Sequence, residues 1–272
     1  MRYLFANWNN VKRQIASKHV VLLLDYDGTL IPIVETPDRA RISKQIKQLL
    51  KALSTNPRCT LAIISGRGLK DVKKKVGLKS IIYSGNHGLQ IQGPNIRFEA
   101  EASPGYKTIL QKIKSELKQI LSPVKGVLLE DKGLCLSLHY RLTDKKEVSF
   151  VRETFYQVVL PYLRLGQIKT EIGKKVLEVR PAVEWNKGKA VLWLLSRQKL
   201  FLCDEPIIPI HIGDDVTDED AFEALKNEGL TIFVGSPKKS HAEYYLKNTR
   251  EVSRFLKWLN ALPLPKNFRD FS

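Results

Sequence analysis

Cysteine is scarce in this chain of 272 residues: Cys59, Cys135 and Cys203 are odd in number, far apart and without metal-ligand spacing. That excludes a disulfide framework and a thiolate metal site, and leaves three small buried hydrophobes in a reducing compartment. Long hydrophobic runs are missing as well. No stretch approaches the ~20 apolar residues of a membrane span, and the first twenty residues lack the apolar core and cleavage site of a signal peptide. The expectation is a cytoplasmic protein with no membrane partner. Acid is also in short supply, with 28 Asp and Glu against 45 Lys and Arg, a formal charge of +17. Such a surplus attracts anions of any kind and chooses none of them. The runs Lys73-Lys74-Lys75, Lys174-Lys175 and Lys238-Lys239 each read as solvated faces. There is no recognition helix and no interleaving of aromatic with basic residues, so nucleic acid is not an expected partner. Repeats and low-complexity segments are absent too.

What is present is a globular composition, 43% hydrophobic and 27% charged, long enough for about two domains. The organising stretch is Val20-Val21-Leu22-Leu23-Leu24-Asp25-Tyr26-Asp27-Gly28-Thr29-Leu30. Its apolar part reads as a strand covered on both faces, as in parallel α/β sheets. In such sheets ligands sit beyond the carboxyl ends of the strands, where Asp25 and Asp27 fall. Two carboxylates at i and i+2 on a continuing strand would crowd one face, so a cation or a Lys is expected nearby. Taken alone, the pair is equally a strand end with two solvated acids before a Gly turn.

Along the chain, residues 1–18 read as a short amphipathic helix with Trp8, Val11 and Ile15 available to pack. Ile42, Ile46, Leu49, Leu50 and Leu53 recur at helical spacing behind a Ser43 cap. A second apolar run, Thr60 to Ile64, breaks into Ser65-Gly66-Arg67-Gly68, and a helix from Leu69 to Val76 leads to the strand Ile81-Ile82-Tyr83. Gly85-Asn86-His87-Gly88 turns into a hairpin around Gly93-Pro94-Asn95. The pattern then changes to strand pairs with helices between them, an α+β module over 102–183. From Trp185 the α/β grammar resumes: a helix from Asn186-Lys187-Gly188, a strand Ile207–Ile212 ending in Gly213-Asp214-Asp215, and a helix opening with Thr217-Asp218. The fold class is therefore α/β, a Rossmann-like parallel-sheet core over 1–101 and 184–272 with helices on both faces, plus an inserted α+β cap over 102–183.

Three strand ends and one helix start bring Asp25, Asp27, Ser65, Asp214, Asp215, Asp218 and Lys187 toward one sheet edge. Hard oxygen ligands beside a Lys suit Mg²⁺ and a phosphate. With the phosphoryl charge neutralised, Asp25 is the candidate nucleophile, and Asp27, turned by the Gly28 bend, the candidate acid and base.

These residues resemble the four motifs of the haloacid dehalogenase superfamily of phosphatases: Asp25-Tyr26-Asp27-Gly28-Thr29-Leu30, Ser65-Gly66-Arg67, Lys187, and Gly213-Asp214-Asp215 with Asp218. The resemblance implies Mg²⁺ held by Asp25, the backbone carbonyl of Asp27 and Asp214, with Asp218 in or near the coordination shell. Ser65 and Lys187 would bind the phosphoryl group. The cap narrows the likeness. Its alternating residues Glu130, Lys132, His139, Arg141, Lys174, Lys175, Glu178 and Arg180 read, on alternation alone, as exposed strand faces with weak cross-strand ion pairs. Yet Leu129-Glu130-Asp131-Lys132-Gly133, Leu138-His139-Tyr140-Arg141, Gly173 to Pro181 and Gly213 to Phe222 are similar to the trehalose-6-phosphate phosphatase family, as is Gly85-Asn86-His87-Gly88. By that likeness, which runs from about Val21 to Phe233, Glu130, Lys132, Arg141, Lys175 and Glu178 grip a sugar from the cap. Arg67, Asn86 and His87 reach it from the core. Gln90 departs from the family, where an acid commonly follows this turn.

The implied activity is Mg²⁺-dependent hydrolysis of trehalose 6-phosphate through an aspartyl-phosphate, with the sugar phosphate as partner; the sequence does not report the oligomeric state, and a monomer is favoured. Phosphatases of sucrose or glucosylglycerol phosphate share the core motifs and differ in the cap. A phosphohexomutase shares the superfamily and would release no phosphate. A basic nucleic-acid-binding protein would use the charge alone.

Overall fold

In the computed structural model, which describes residues 1–203 and 205–262, the chain opens on a two-residue strand, β1 (Arg2–Tyr3), and the helix α1 (Trp8–Ile15). The buried strand β2 (His19–Leu24) follows, then α2 (Lys44–Ser54), β3 (Cys59–Ile64), α3 (Leu69–Val76), β4 (Ile82–Gly85), and the hairpin β5 (Gln90–Gly93) and β6 (Ile96–Glu99). The next elements are α4 (Tyr106–Leu121), β7 (Leu128–Asp131), β8 (Leu136–His139), α5 (Val148–Arg164), β9 (Ile168–Gly173) and β10 (Val176–Pro181). The chain continues through α6 (Lys187–Phe201), β11 (Ile207–Gly213), α7 (Val216–Ala224), β12 (Leu230–Val234), β13 (Tyr244–Leu246) and α8 (Thr249–Asn260). The described residues divide into two compact units, residues 1–98 with 185–262, and residues 99–184. Residues 263–272, inside the expected core boundary, lie outside the described residues.

The first unit is built on a nine-stranded sheet in the order β1-β13-β12-β11-β2-β3-β4-β5-β6. From β1 through β4 the neighbours run parallel, and β5 turns antiparallel against β4. β2 lies between β11 and β3. Its uninterrupted apolar sequence follows from this placement, because alternate side chains enter two different cores. Val20, Leu22 and Leu24 join Val11 and Ile15 of α1, Leu50 and Leu53 of α2, and Phe255 of α8. Val21 and Leu23 join Ala190, Val191 and Leu194 of α6. Helices therefore cover both faces, as the sequence predicts. Ser43 caps α2 by accepting the Ile46 N–H at 3.2 Å.

Three elements, β1, β13 and α8, go beyond the sequence reading. The amino-terminal segment contributes a strand as well as a helix, since β1 pairs with β13. α8, from a segment with no specific signal, buries Val252, Phe255, Leu256 and Leu259. Among the described residues, no helix is long and apolar enough to cross a membrane.

The second unit is an antiparallel sheet, β7-β8-β10-β9, with α4 and α5 against one face. Leu136, Leu138, Leu177 and Val179 point into that helical layer with Leu110, Ile113, Phe155 and Val159. The alternate positions form the opposite, polar face.

Candidate active site

Asp25 is the first residue past β2, and its N–H still donates to Ile212 O of β11 at 2.9 Å. The carboxylate is therefore delivered at the carboxyl edge of the sheet, where the strand order reverses direction about β2. Gly28 bends the chain away with φ +87°, and a Cβ there would lie 2.3 Å from the Asp214 carboxylate. Only glycine admits both the dihedral and the close approach of the two acidic loops.

Lys187 sits in the first turn of α6, whose amino end Asn186 caps by accepting the Lys189 N–H at 2.9 Å. Its ammonium is buried and donates to Asp25 Oδ1 at 3.0 Å and Asp218 Oδ1 at 2.7 Å. Asp25, Asp214 and Asp218 are all buried, and each offers a ligand oxygen within 4.8 Å of the other two. Three carboxylates thus share one ammonium. Burial first, then the charges of Asp218, Asp214 and Asp27, push the Asp25 carboxyl well above its ordinary range. Burial opposes the Lys187 charge, but Asp218 and Asp25 outweigh it and hold the ammonium protonated above its usual range. The donor set is hard oxygen with a deficit of positive charge, and a divalent cation fits it.

Asp218 differs from its two neighbours. Oδ1 accepts from Lys187 and lies 2.9 Å from His211 Nε2, while Oδ2 accepts the N–H groups of Asp214 and Asp215, each at 3.1 Å. A carboxylate has about four lone-pair sites, and all four have protein partners. Asp218 therefore shapes the loop carrying Asp214 and closes a capping box with Asp215 at the start of α7. Its own burial would raise its pKa, but Lys187 and His211 hold the carboxyl well below the usual range.

Asp27 does not crowd Asp25, as strand geometry alone predicts, because the chain leaves the strand after Leu24. Its carboxylate takes a two-toothed ion pair from Arg67, Nε to Oδ2 at 2.6 Å and a terminal nitrogen to Oδ1 at 2.8 Å. Arg67 also donates to Asp71 Oδ2 at 2.8 Å and Pro37 O at 3.1 Å. The guanidinium expected at a sugar is thus engaged with Asp27 and Asp71, a partnership that the motif spacing does not reveal.

Ser65 is buried at the end of β3, and its Oγ accepts the Arg67 N–H at 3.2 Å. The loop after β4 closes on it, with His87 N donating to Ser65 O and Asn86 N to Arg67 O. Asn86 and His87 both adopt positive φ, 51° and 55°. The His87 ring covers Gly66 so closely that a Cβ there would lie 2.4 Å from it. Asn86 Nδ2 donates to Gln90 Oε1 at 3.0 Å, so the residue that departs from the family orients the Asn86 amide.

In the second unit, register assembles the polar set. Glu130 lies opposite Ser137, Ser137 opposite Glu178, and Glu178 opposite Glu171, one row across four strands. Lys132 Nζ and Ser137 Oγ each donate to Glu178 Oε2 at 2.6 Å, and Arg180 Nε donates to Oε1 at 2.6 Å. Arg180 also pairs with Glu171, and His139 Nε2 lies 2.9 Å from Glu130. Arg141 donates to Lys174 O at 2.7 Å, and Lys175, at φ 67°, lies over the Tyr140 ring. Ser137 and Glu171 are new members of this face, and only strand register could have disclosed them.

A family model described as trehalose-phosphatase matches residues 23–250. The chain is 35% identical to trehalose-phosphate phosphatase B of Arabidopsis thaliana over 254 residues, 89% of this chain and 66% of that protein. It is 38% identical to the probable trehalose-phosphate phosphatase G of the same plant over 273 residues, 92% of this chain and 71% of that one. The chain thus spans about two thirds of the length of these relatives. Among solved structures it is similar to the C-terminal domain of Candida albicans trehalose-6-phosphate phosphatase, with TM-score 0.76 at 26% identity over 94% of this chain and 97% of that one. The trehalose-6-phosphate phosphatase of Aspergillus fumigatus gives TM-score 0.61 at 29% identity over 93% and 96%.

Proposed function

Because the chain belongs to the trehalose-phosphatase family, we propose that it hydrolyses trehalose 6-phosphate to trehalose and phosphate through an aspartyl-phosphate on Asp25. One observation carries the reading: a single buried ammonium, Lys187, stands among three buried carboxylates at the end of β2. Such a site is short of positive charge and is completed by a cation together with a phosphate. Asp25, the Asp27 carbonyl and Asp214 would hold Mg²⁺, which when bound offsets the charge of the phosphoryl oxygens. Asp218 stands behind them as the partner that orients Lys187 and the Asp214 loop.

The chain's own groups account for the rest. Lys187 and the Ser65 hydroxyl, whose proton is not used in accepting the Arg67 N–H, bind phosphoryl oxygens. An Asp25 oxygen bonds to phosphorus as the bond to the sugar oxygen breaks, and that oxygen takes a proton from Asp27. Water then bonds to phosphorus and returns a proton to Asp27, and the bond to Asp25 breaks to release phosphate. The polar face of the insert, with Glu130, Lys132, Arg141, Lys175 and Glu178, supplies the directional donors and acceptors that sugar hydroxyls need.

The test is phosphate release from a panel of trehalose 6-phosphate, sucrose phosphate, glucosylglycerol phosphate and glucose 6-phosphate, with Mg²⁺ and with a chelator. Release from trehalose 6-phosphate should exceed the others at least about tenfold, vanish with the chelator and return with added Mg²⁺. Preference for another ester, or isomerisation without phosphate release, would overturn the assignment.

A further inference from the structure

Asp71 lies outside every motif that carries the family resemblance, on the first turn of α3. Its carboxylate nonetheless stands one residue removed from the reaction. Asp71 Oδ2 accepts from Arg67 at 2.8 Å, and Lys75 approaches the other oxygen at 3.7 Å. The Pro37 carbonyl takes the same guanidinium nitrogen at 3.1 Å. Arg67, with only 8% of its side chain exposed, turns its remaining edge onto both oxygens of Asp27. A planar guanidinium held on one edge fixes the plane of a carboxylate gripped on the other. Each Asp27 oxygen keeps a further lone pair for a proton.

We propose that Asp71 is a positioning residue of the reaction, acting through Arg67 to fix the Asp27 carboxylate that exchanges protons with the leaving oxygen and the attacking water. The inference rests on the reading of Asp27 given above. It adds a residue which sequence motifs pass over, and it gives Arg67 a role on Asp27 in place of the sugar.

Leaving-group chemistry tests it. A sugar alkoxide needs a proton to depart, whereas a nitrophenolate does not, and kcat/KM reports only the steps through phosphoryl transfer to Asp25. In Asp71→Ala, kcat/KM for trehalose 6-phosphate should fall about tenfold while that for p-nitrophenyl phosphate falls less than about threefold. Because water activation also suffers, nitrophenolate should appear as a burst equal to the enzyme concentration, followed by a slower steady state. Asp71→Glu, which keeps the charge within reach of Arg67, should restore part of the selectivity. Either the selective fall or the burst supports the proposal. An equal fall for both esters without a burst, or no change in either, overturns it. If Asp71→Ala fails to fold by circular dichroism, Asp71→Asn is read in the same way. A wild type inactive on trehalose 6-phosphate would instead refute the substrate assignment, and the comparison then runs on whichever alkyl phosphate it hydrolyses.

Discussion

At Asp25 the carboxylate meets one cation, Lys187 at 3.0 Å, and faces two further buried acids. Its pKa rises because burial and three like charges all oppose ionisation. Asp25→Asn removes the proposed nucleophile and relieves that repulsion in a single isosteric step. We expect turnover to fall about 10³-fold or more, with the thermal midpoint unchanged or raised; residual activity within tenfold of wild type would rule out Asp25 as the attacking group. The sequence locates these residues well, since Asp25, Ser65, Lys187 and Asp214 each sit at a strand end or helix start. It does not disclose their pairings. Asp218, a ligand candidate by its motif, also carries four donors on its two oxygens, and Arg67, a sugar contact by resemblance, also has Asp27 and Asp71 on its guanidinium.

Strands and helices explain what could and could not be read in advance. β2 and α2 carry long, periodic apolar patterns and are legible directly. β1 and β13 are two and three residues long and owe their existence to pairing, β1 with β13 and β13 with β12, so no local pattern marks them. The polar face of the insert is intermediate. Alternation shows that Glu130 and Glu178 lie on faces, but only register puts both opposite Ser137 in one row. On an element built in this way, truncating one member costs recognition more than stability. Glu130→Ala should lower kcat/KM for trehalose 6-phosphate at least about tenfold, as expected for a lost charge-assisted hydrogen bond, and for a small generic phosphate ester by less than threefold. Equal losses on the two substrates would remove the sugar-gripping role.

For the molecule as a whole, pH acts on stability through a group remote from the chemistry. His19, at the start of β2, is buried with Nε2 2.9 Å from Thr60 Oγ1. Burial, and then the charge of Arg58, push its pKa from 6.5 down to about 4. Between those values the unfolded chain binds a proton that the folded protein refuses. Stability is therefore complete above pH 6.5 and declines as pH falls toward 4. At about 1.4 kcal/mol per pH unit the loss is roughly 3 kcal/mol. Denaturant unfolding at pH 7 and pH 4.5 should show a drop for the wild type that is markedly smaller in His19→Gln. Parallel drops would assign the acid sensitivity to other groups.

The placement of β2 between β3 and β11 also bears on how the chain is made. β3 is synthesised soon after β2, but β11 begins at Ile207, 183 positions beyond Leu24. With translation at about 5–20 residues per second, one flank of this buried apolar strand waits some 10–40 s for its neighbour. The insert at 99–184 is contiguous and can complete its own sheet in that interval. The unit that carries β2 therefore closes only after the insert has been synthesised, and the β11-facing edge of β2 stays open until then.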